Sequence, residues 1–482
     1  MIQLLTGGAA ASVVGAWLRP MSLTTGVYRN RLSYTLVPES EEDPLSLSRK
    51  MVRAARNLTM DQLPAEVIAK VKIGLLDMLS CAFEARDLPW GCQAIRMAGA
   101  ANGQATVIGT PLQSSPAEAA FTNATLGHGL VREDMHAGAV SHLGVVIFPA
   151  LLALAQQQKA SGRDFILGAV CGFEIGAAVG RAIMDQEMVR RFRPTGITGP
   201  LAGAIAGSRL LSLDEDATVS ALGFAANATG GLNEWPYCGG DEMFFHPGFA
   251  ARNAVTAVEL AMLGARASES ALDGRAGLFA ALNKTDCISR VAPFSGQPLE
   301  ILSVYYKPAP ACNYAQTACQ AALALAVQDG FRSSDIESIV VKASAAAVGY
   351  PGCDYTGPFE RILQAKMSIQ YCVAATLARG IIEESNYHLL DDPEINRLAS
   401  IAKLEIDPAF TAAYPAAQGT ELIVKSRART DWSRFDDVTP ATPELIRARF
   451  RAACANWRAV EEMVDTLEQQ EDIGILSGGL AA

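Results

Sequence analysis

FILGAVCGFEIGAAVGRAIM, residues 165–184, is a twenty-residue run whose setting decides the fold. Its length and apolar content are those of a helix that crosses a bilayer. Gly168, Gly172, Gly176 and Gly180 form a small-residue stripe of the kind that lets membrane helices pack closely. Glu174 at the centre and Arg181 near the end argue the other way, because a mid-bilayer carboxylate is costly. No second clean span accompanies the run. It is therefore read as part of a soluble, Ala/Gly-rich helical core in which backbones approach closely, begun near Ser161 with Asp164 three residues on. A second stripe follows at Gly199, Gly203 and Gly207.

Helical periodicity extends on both sides of this core. Val67, Val71, Leu75, Met78 and Leu79 recur at three- and four-residue intervals within Pro64 to Ala85. Ser115, Pro116 and Glu118 make an S-P-x-E capping box ahead of AAFTNATLGHGL. After about residue 300 the texture changes: SIVVKAS (338–344) and TELIVKSRA (420–428) have strand-like β-branched content and alternation. Helical patterns recur at 314–328, 368–380 and 394–402, and the chain returns to helix at 443–470. The fold class is mainly α: a large all-helical domain built from both chain ends, with an inserted α+β lid domain. The expected boundaries are 1–47 as an N-terminal extension, 48–302 and 438–482 as the helical domain, and 303–437 as the lid.

The chain has 482 residues with 50 acidic against 40 basic side chains, a net charge of -10. An acidic surface repels phosphate, so nucleic acid is not expected as a partner. Ten cysteines without a CxxC pair suggest buried thiols in a reducing compartment. Residues 1–38 carry no acid and three arginines but lack a basic n-region before the apolar run 7–18. A disordered extension is preferred there to an organelle transit peptide, with a cytoplasmic location expected. No GxGxxG follows a strand, and neither GxxxxGK[ST] nor G-x-S-x-G occurs.

Four of the five histidines fall at 128, 136, 142 and 246, in Gly-rich or Pro-punctuated junctions, with His388 apart. Three lie in HGLVREDMHAGAVSH (128–142) together with Glu133 and Asp134. Histidine titrates near neutrality and a neighbouring carboxylate orients it, so this segment has the parts of an acid/base site. The structural alternative is a set of polar loop residues. A metal reading would use His128, Glu133, His136 and His142, but their spacing matches no motif such as HExxH, and no metal is assigned. EMFFHPGFAARN (242–253) sets His246 at a helix start. YYKPAPACNY (305–314) holds Lys307 between prolines, where it could bind a carboxylate. AKMSIQYCVA (365–374) places Tyr371 among apolar residues, either as a core tyrosine or as a donor to a ligand.

Taken in order, these blocks resemble the MmgE/PrpD family, which includes 2-methylcitrate dehydratase, cis-aconitate decarboxylase and iminodisuccinate epimerase. The resemblance covers about residues 46–475 and rests on KIGLLDMLSCAF, AAFTNATLGHGLVREDMH, SHLGVVIFPALLALA, RFRPTGITGPLAGAIAGSRLLSL, HPGFAARNAV, YKPAPACNYAQ and AKMSIQYCVAATL. It implies a homodimer without cofactor, with a site in the cleft between the helical domain and the lid. It carries the family's histidine after the acidic loop to His142, its lid lysine to Lys307, its lid tyrosine to Tyr371 and its helix-start histidine to His246. Asp134 is kept, whereas Val131 replaces an acid, Arg193 a histidine and Met243 a lysine, and Cys312 stands where some members have histidine.

The resemblance implies proton transfer at carbon next to a carboxylate, in a lyase acting on a small di- or tricarboxylic acid. His142 would be the base or acid, with Asp134 and His136 tuning its loop. Lys307 and Arg193 would grip carboxylates and Tyr371 would donate a hydrogen bond or a proton. His128, His246, Cys312 and Met243 complete the substrate wall. An isomerase or epimerase using the same first step, and an inactive binding homologue, are the alternatives. Neither membrane nor nucleic acid is an expected partner.

Overall fold

A computed structural model describes residues 45–99, 101–296 and 298–481. The expectations for residues 1–44 lie outside the described residues. Leu47 already opens a helix, α1 (Leu47–Asn57), whose N-cap Ser46 accepts a hydrogen bond from Arg49 N. The helices that follow are α2 (Ala65–Ala85), α3 (Pro116–His128), α4 (Gly144–Gln158), α5 (Gly162–Ile183), α6 (Pro194–Leu210) and α7 (Glu242–Met262).

Helix α5 contains most of the apolar run 165–184, and it is the one described helix long and apolar enough to cross a membrane. Its apolar length is used inside the protein, against α4 and α6. The glycine stripe explains how: a Cβ at Gly168 would lie 2.8 Å from Ala206 O, and one at Gly203 would lie 2.6 Å from Ala254 Cβ on α7. Glu174 is buried but matched, its carboxylate accepting Phe294 N at 3.0 Å and Glu300 N at 2.6 Å. Arg181 pairs with Glu300. A buried carboxylate that receives backbone N–H donors avoids most of the desolvation penalty of an unpaired one.

One hydrophobic core joins both chain ends: Leu79, Leu151 and Val258 share it with Ile446, Phe450 and Val464. A second core fills the C-terminal part, where a four-stranded sheet is confined. Two short strands, β1 (Asp134–His136) and β2 (Val304–Tyr306), pair antiparallel, with Met135 opposite Tyr305. The sheet consists of β3 (Ile336–Ala343), β4 (Ala402–Ile406), β5 (Thr420–Ser426) and β6 (Thr430–Phe435) in the order β4-β3-β5-β6. β3 runs parallel to β4 and antiparallel to β5. α8 (Gln316–Ala326) and α9 (Ile369–Arg379) cover it.

The mainly α class with a small C-terminal sheet is as the sequence predicts. Two details differ. β4 and β6 are strands without a strong sequence pattern, because β4 carries charges on its exposed side and β6 alternates half-buried and exposed positions at the sheet edge. The helical stretch expected at 443–470 is formed by two helices, α10 (Pro443–Ala453) and α11 (Trp457–Asp465). Cys454 and Asn456 favour helices weakly, and the break lets Phe450 and Val460 both reach the core. Of the ten cysteines, eight are buried, while Cys238 is exposed and Cys92 half-buried.

Gly203→Val would force α6 and α7 apart. The expected loss of stability is about 1–3 kcal/mol, read by denaturant unfolding.

Candidate functional site

The histidine segment is aimed by its own backbone. Val131 and Val140 both adopt left-handed conformations, φ +58° and +51°. A β-branched residue there is strained by about 1–3 kcal/mol, and such strain persists only where surrounding structure enforces it. The two turns bracket β1, which is clamped to β2. Between them Glu133 is carried inward and His142 is brought back alongside Asp134.

Glu133 is fully buried and bridges two imidazoles. Its Oε1 lies 2.5 Å from His128 Nδ1 and 3.1 Å from His142 Nδ1. Burial pushes the Glu133 carboxyl up, but His128, His142 and Lys307 outweigh it and hold the group below the usual carboxylate range. His142 Nδ1 also donates to Asp134 O at 2.7 Å, and His142 N donates to Thr195 Oγ1 at 3.0 Å. This fixes the Nδ1–H tautomer and leaves Nε2 as the lone-pair atom, with no hydrogen bond to it among the described residues. Burial, then the charge of Lys307, lowers the His142 pKa well below that of an ordinary histidine, so the imidazole is a neutral base.

His142 lines a cavity of about 30 Å³. Opposite polar groups are few. Arg193 lines it, donating Nη2–H to His128 Nε2 at 3.1 Å and lying 5.8 Å from the Trp235 ring. Met243 Sδ sits 2.9 Å from His128 Nε2. Cys312 is on the wall with its Sγ 3.7 Å from Cys353 Sγ, and that contact draws its thiol below the usual range. Tyr350, whose hydroxyl accepts from Asn233 Nδ2 at 3.3 Å, packs beside Tyr314 with ring centroids 5.2 Å apart.

The MmgE/PrpD N-terminal domain matches residues 49–290 and the MmgE/PrpD C-terminal domain residues 309–471. The chain belongs to the MmgE/PrpD family. A cis-aconitate decarboxylase of Aspergillus terreus is 34% identical over 233 residues, 47% of each chain. The cis-aconitate decarboxylase-like protein oryM of Aspergillus oryzae is 34% identical over 217 residues, 43% of this chain and 45% of its own. The chain spans about half the length of these Aspergillus relatives. Human cis-aconitate decarboxylase is 26% identical over 459 residues, 89% of this chain and 92% of its own.

Within this MmgE/PrpD chain the structure gathers His128, His142, Arg193, Met243 and Cys312, and sets the other expected residues elsewhere. Tyr371 is wholly buried; its hydroxyl donates to Asn386 O at 3.0 Å and its ring packs on Phe359, so it is a core tyrosine and Tyr350 holds the cavity position. His136 turns away, with Nε2 2.9 Å from Glu300 Oε2 and Nδ1 accepting from Ala139 N. It therefore cannot join His128 and His142, and among the described residues no three His, Cys, Asp or Glu are grouped to hold a metal. The Asp134 carboxylate accepts Gly144 N at 2.9 Å, so its carbonyl, not its side chain, serves His142. Lys307 is wholly buried behind the wall with one long hydrogen bond, 3.4 Å to Ala311 O. Burial lowers its pKa, opposed by Glu133. His246 lines a neighbouring hollow beyond Arg193; burial, then Arg193, lowers its pKa to about 3. Gly231 separates the two: with φ +108°, its Cβ would lie 3.2 Å from Arg193 Cβ and 3.5 Å from the His246 ring.

Three residues escaped the sequence reading. Tyr350 and Trp235 carry no local signal, since an aromatic side chain at a bend or at the start of a short helix does not say which cavity it faces. Lys366 does carry one, a lone cation in the apolar run AKMSIQYCVA. Its Nζ donates to Leu130 O at 2.9 Å and Pro310 O at 3.0 Å and pairs with Glu384.

Two outcomes follow from these placements. Tyr371→Phe should lower unfolding stability by about 1 kcal/mol and leave turnover unchanged. Burial raises the Asp134 carboxyl to about 8 and Asp77 to about 7. The unfolded chain releases these protons near pH 4. The native state thus binds more protons between the two values, and stability falls as pH rises through that window. Asp134→Asn should remove part of that fall, so its stability relative to the parent protein improves from pH 4 to pH 8 in urea titrations.

Proposed function

We propose that the protein is a lyase acting on a small carboxylic acid, with His142 moving the proton at carbon next to a carboxylate. One observation carries the reading: the His142 imidazole, held through Nδ1 by Asp134 O and Glu133, lies on a cavity with its Nε2 uncommitted and the buried Arg193 guanidinium on the same wall. A proton next to a carboxylate is weakly acidic, and its removal needs cations that stabilise the enediolate. Arg193 on the wall and Lys307 behind it supply positive charge where that charge develops.

In a dehydration, His142 Nε2 takes the proton, the electron pair forms the new double bond, and hydroxide leaves from the next carbon with a proton from an acid. In a decarboxylation the bond to the departing carboxylate breaks, its electron pair stays on carbon, and a protonated His142 delivers the proton there. Both use the same atom in one protonation state or the other. The names of the relatives, cis-aconitate decarboxylases, support the lyase reading. A second reading, epimerisation, is favoured by Cys312, a second protonatable group on the same wall with a thiol below its usual range.

Incubation of the full chain in deuterated water with a panel of carboxylic acids, followed by proton NMR, separates these. A new alkene or lost carboxylate means lyase, exchange with inversion means epimerase, and no change overturns both. His142→Gln is expected to slow the reaction by about 10²–10⁴-fold. In the dehydration, where His142 acts as the base, the low-pH limb of the rate should lie below that of an ordinary histidine, near 6.5. Lys307→Gln should move it to higher pH, since removing the nearby cation lets His142 hold its proton more readily.

A further inference from the structure

We infer that the substrate's third arm is apolar: the site takes a small acid with at most two carboxylates and an alkyl or aryl substituent, not a tricarboxylate. The inference rests on the carboxylic-acid reading above and concerns what surrounds His142. Among the described residues on the cavity wall, Arg193 is the one permanent cation. It faces Met243, whose Sδ lies 3.9 Å from Nη2, and the Trp235 ring. Val131, Met135 and Met367 complete that side. All of these are at most 7% exposed, so the surroundings exclude water.

Charge decides between an apolar arm and an anionic one. The charge-bearing side chains at or just behind the wall are Arg193, Lys307 and Glu133, with the one acid set against the two bases. A carboxylate on Arg193 is matched, and a second can face Lys307. A third would meet only neutral donors, the Tyr314 and Tyr350 hydroxyls and Asn313, with no further cation to match it, which leaves a buried charge unpaired. Three methionines are suited instead to an irregular apolar group, because unbranched thioether chains adapt to shape.

The test compares two acids of the same shape, isobutylsuccinate and carboxymethylsuccinate (tricarballylate), which differ only in an isopropyl group against a carboxylate. Calorimetric titration of the full chain is expected to show isobutylsuccinate binding at least about tenfold tighter. Met243→Lys should close or reverse the gap, Met243→Leu should leave it, and Arg193→Gln should weaken both acids. Equal or tighter binding of tricarballylate to the parent protein overturns the inference, as does binding of neither acid at millimolar concentration, and neither outcome depends on a variant folding. Relative affinity is read without turnover, so this failure is distinct from that of the lyase reading, which fails when no acid reacts.

Discussion

A buried ammonium must be surrounded by oxygen, and Lys366 meets that requirement with groups from three separate segments. It donates to Leu130 O in the histidine segment, to Pro310 O in the loop after β2 and to the Glu384 carboxylate, with the Tyr387 ring 4.7 Å away. Burial lowers its pKa, and Glu384 opposes that. Removing any one oxygen would leave the charge short of a partner, at a cost of several kcal/mol for a broken buried pair. The constraint therefore ties the turn at Val131 to the loop that carries Lys307 and Cys312. This tie, with the β1–β2 pairing, holds the histidine segment against the loop whose Cys312 lines the cavity.

The strain at Val131 and Val140 is intelligible in that light. Left-handed valines would relax in an isolated loop, but here the ends of the segment are held by α3, β2, α4 and Lys366. Relaxation would pull Glu133 from between the two imidazoles. The bridge in turn explains why histidines so deeply buried remain useful: Glu133 and the Asp134 carbonyl take the Nδ1 protons, and each Nε2 is left as an acceptor. His128 then commits its Nε2 to Arg193, whereas His142 keeps its own for the cavity.

Much of this was legible in the residues. The glycine stripes of α5 and α6 announced close helix packing, Ser115 and Ser161 marked helix starts that the side chains do cap, and the alternation in SIVVKAS and TELIVKS marked two central strands. The histidine segment stood out by composition. Tyr371 misled, because a tyrosine amid apolar residues reads equally as core or as donor, and which it is depends on whether Asn386 O waits at its tip. Asp134 misled for a related reason: the residue matters through its carbonyl, which every amino acid has.

The sequence by itself determined the mainly α class, the α+β insertion and the residue types available for proton transfer, since these follow from local periodicity and from which side chains titrate. Only the tertiary structure decided which of them face one another. Lys307 behind the wall, His136 turned to Glu300, Tyr350 in place of Tyr371 and the apolar rim around Arg193 are matters of direction across distant segments. Such directions are set by packing and by the partners that buried polar groups find across distant segments. Neither leaves a mark at any single position.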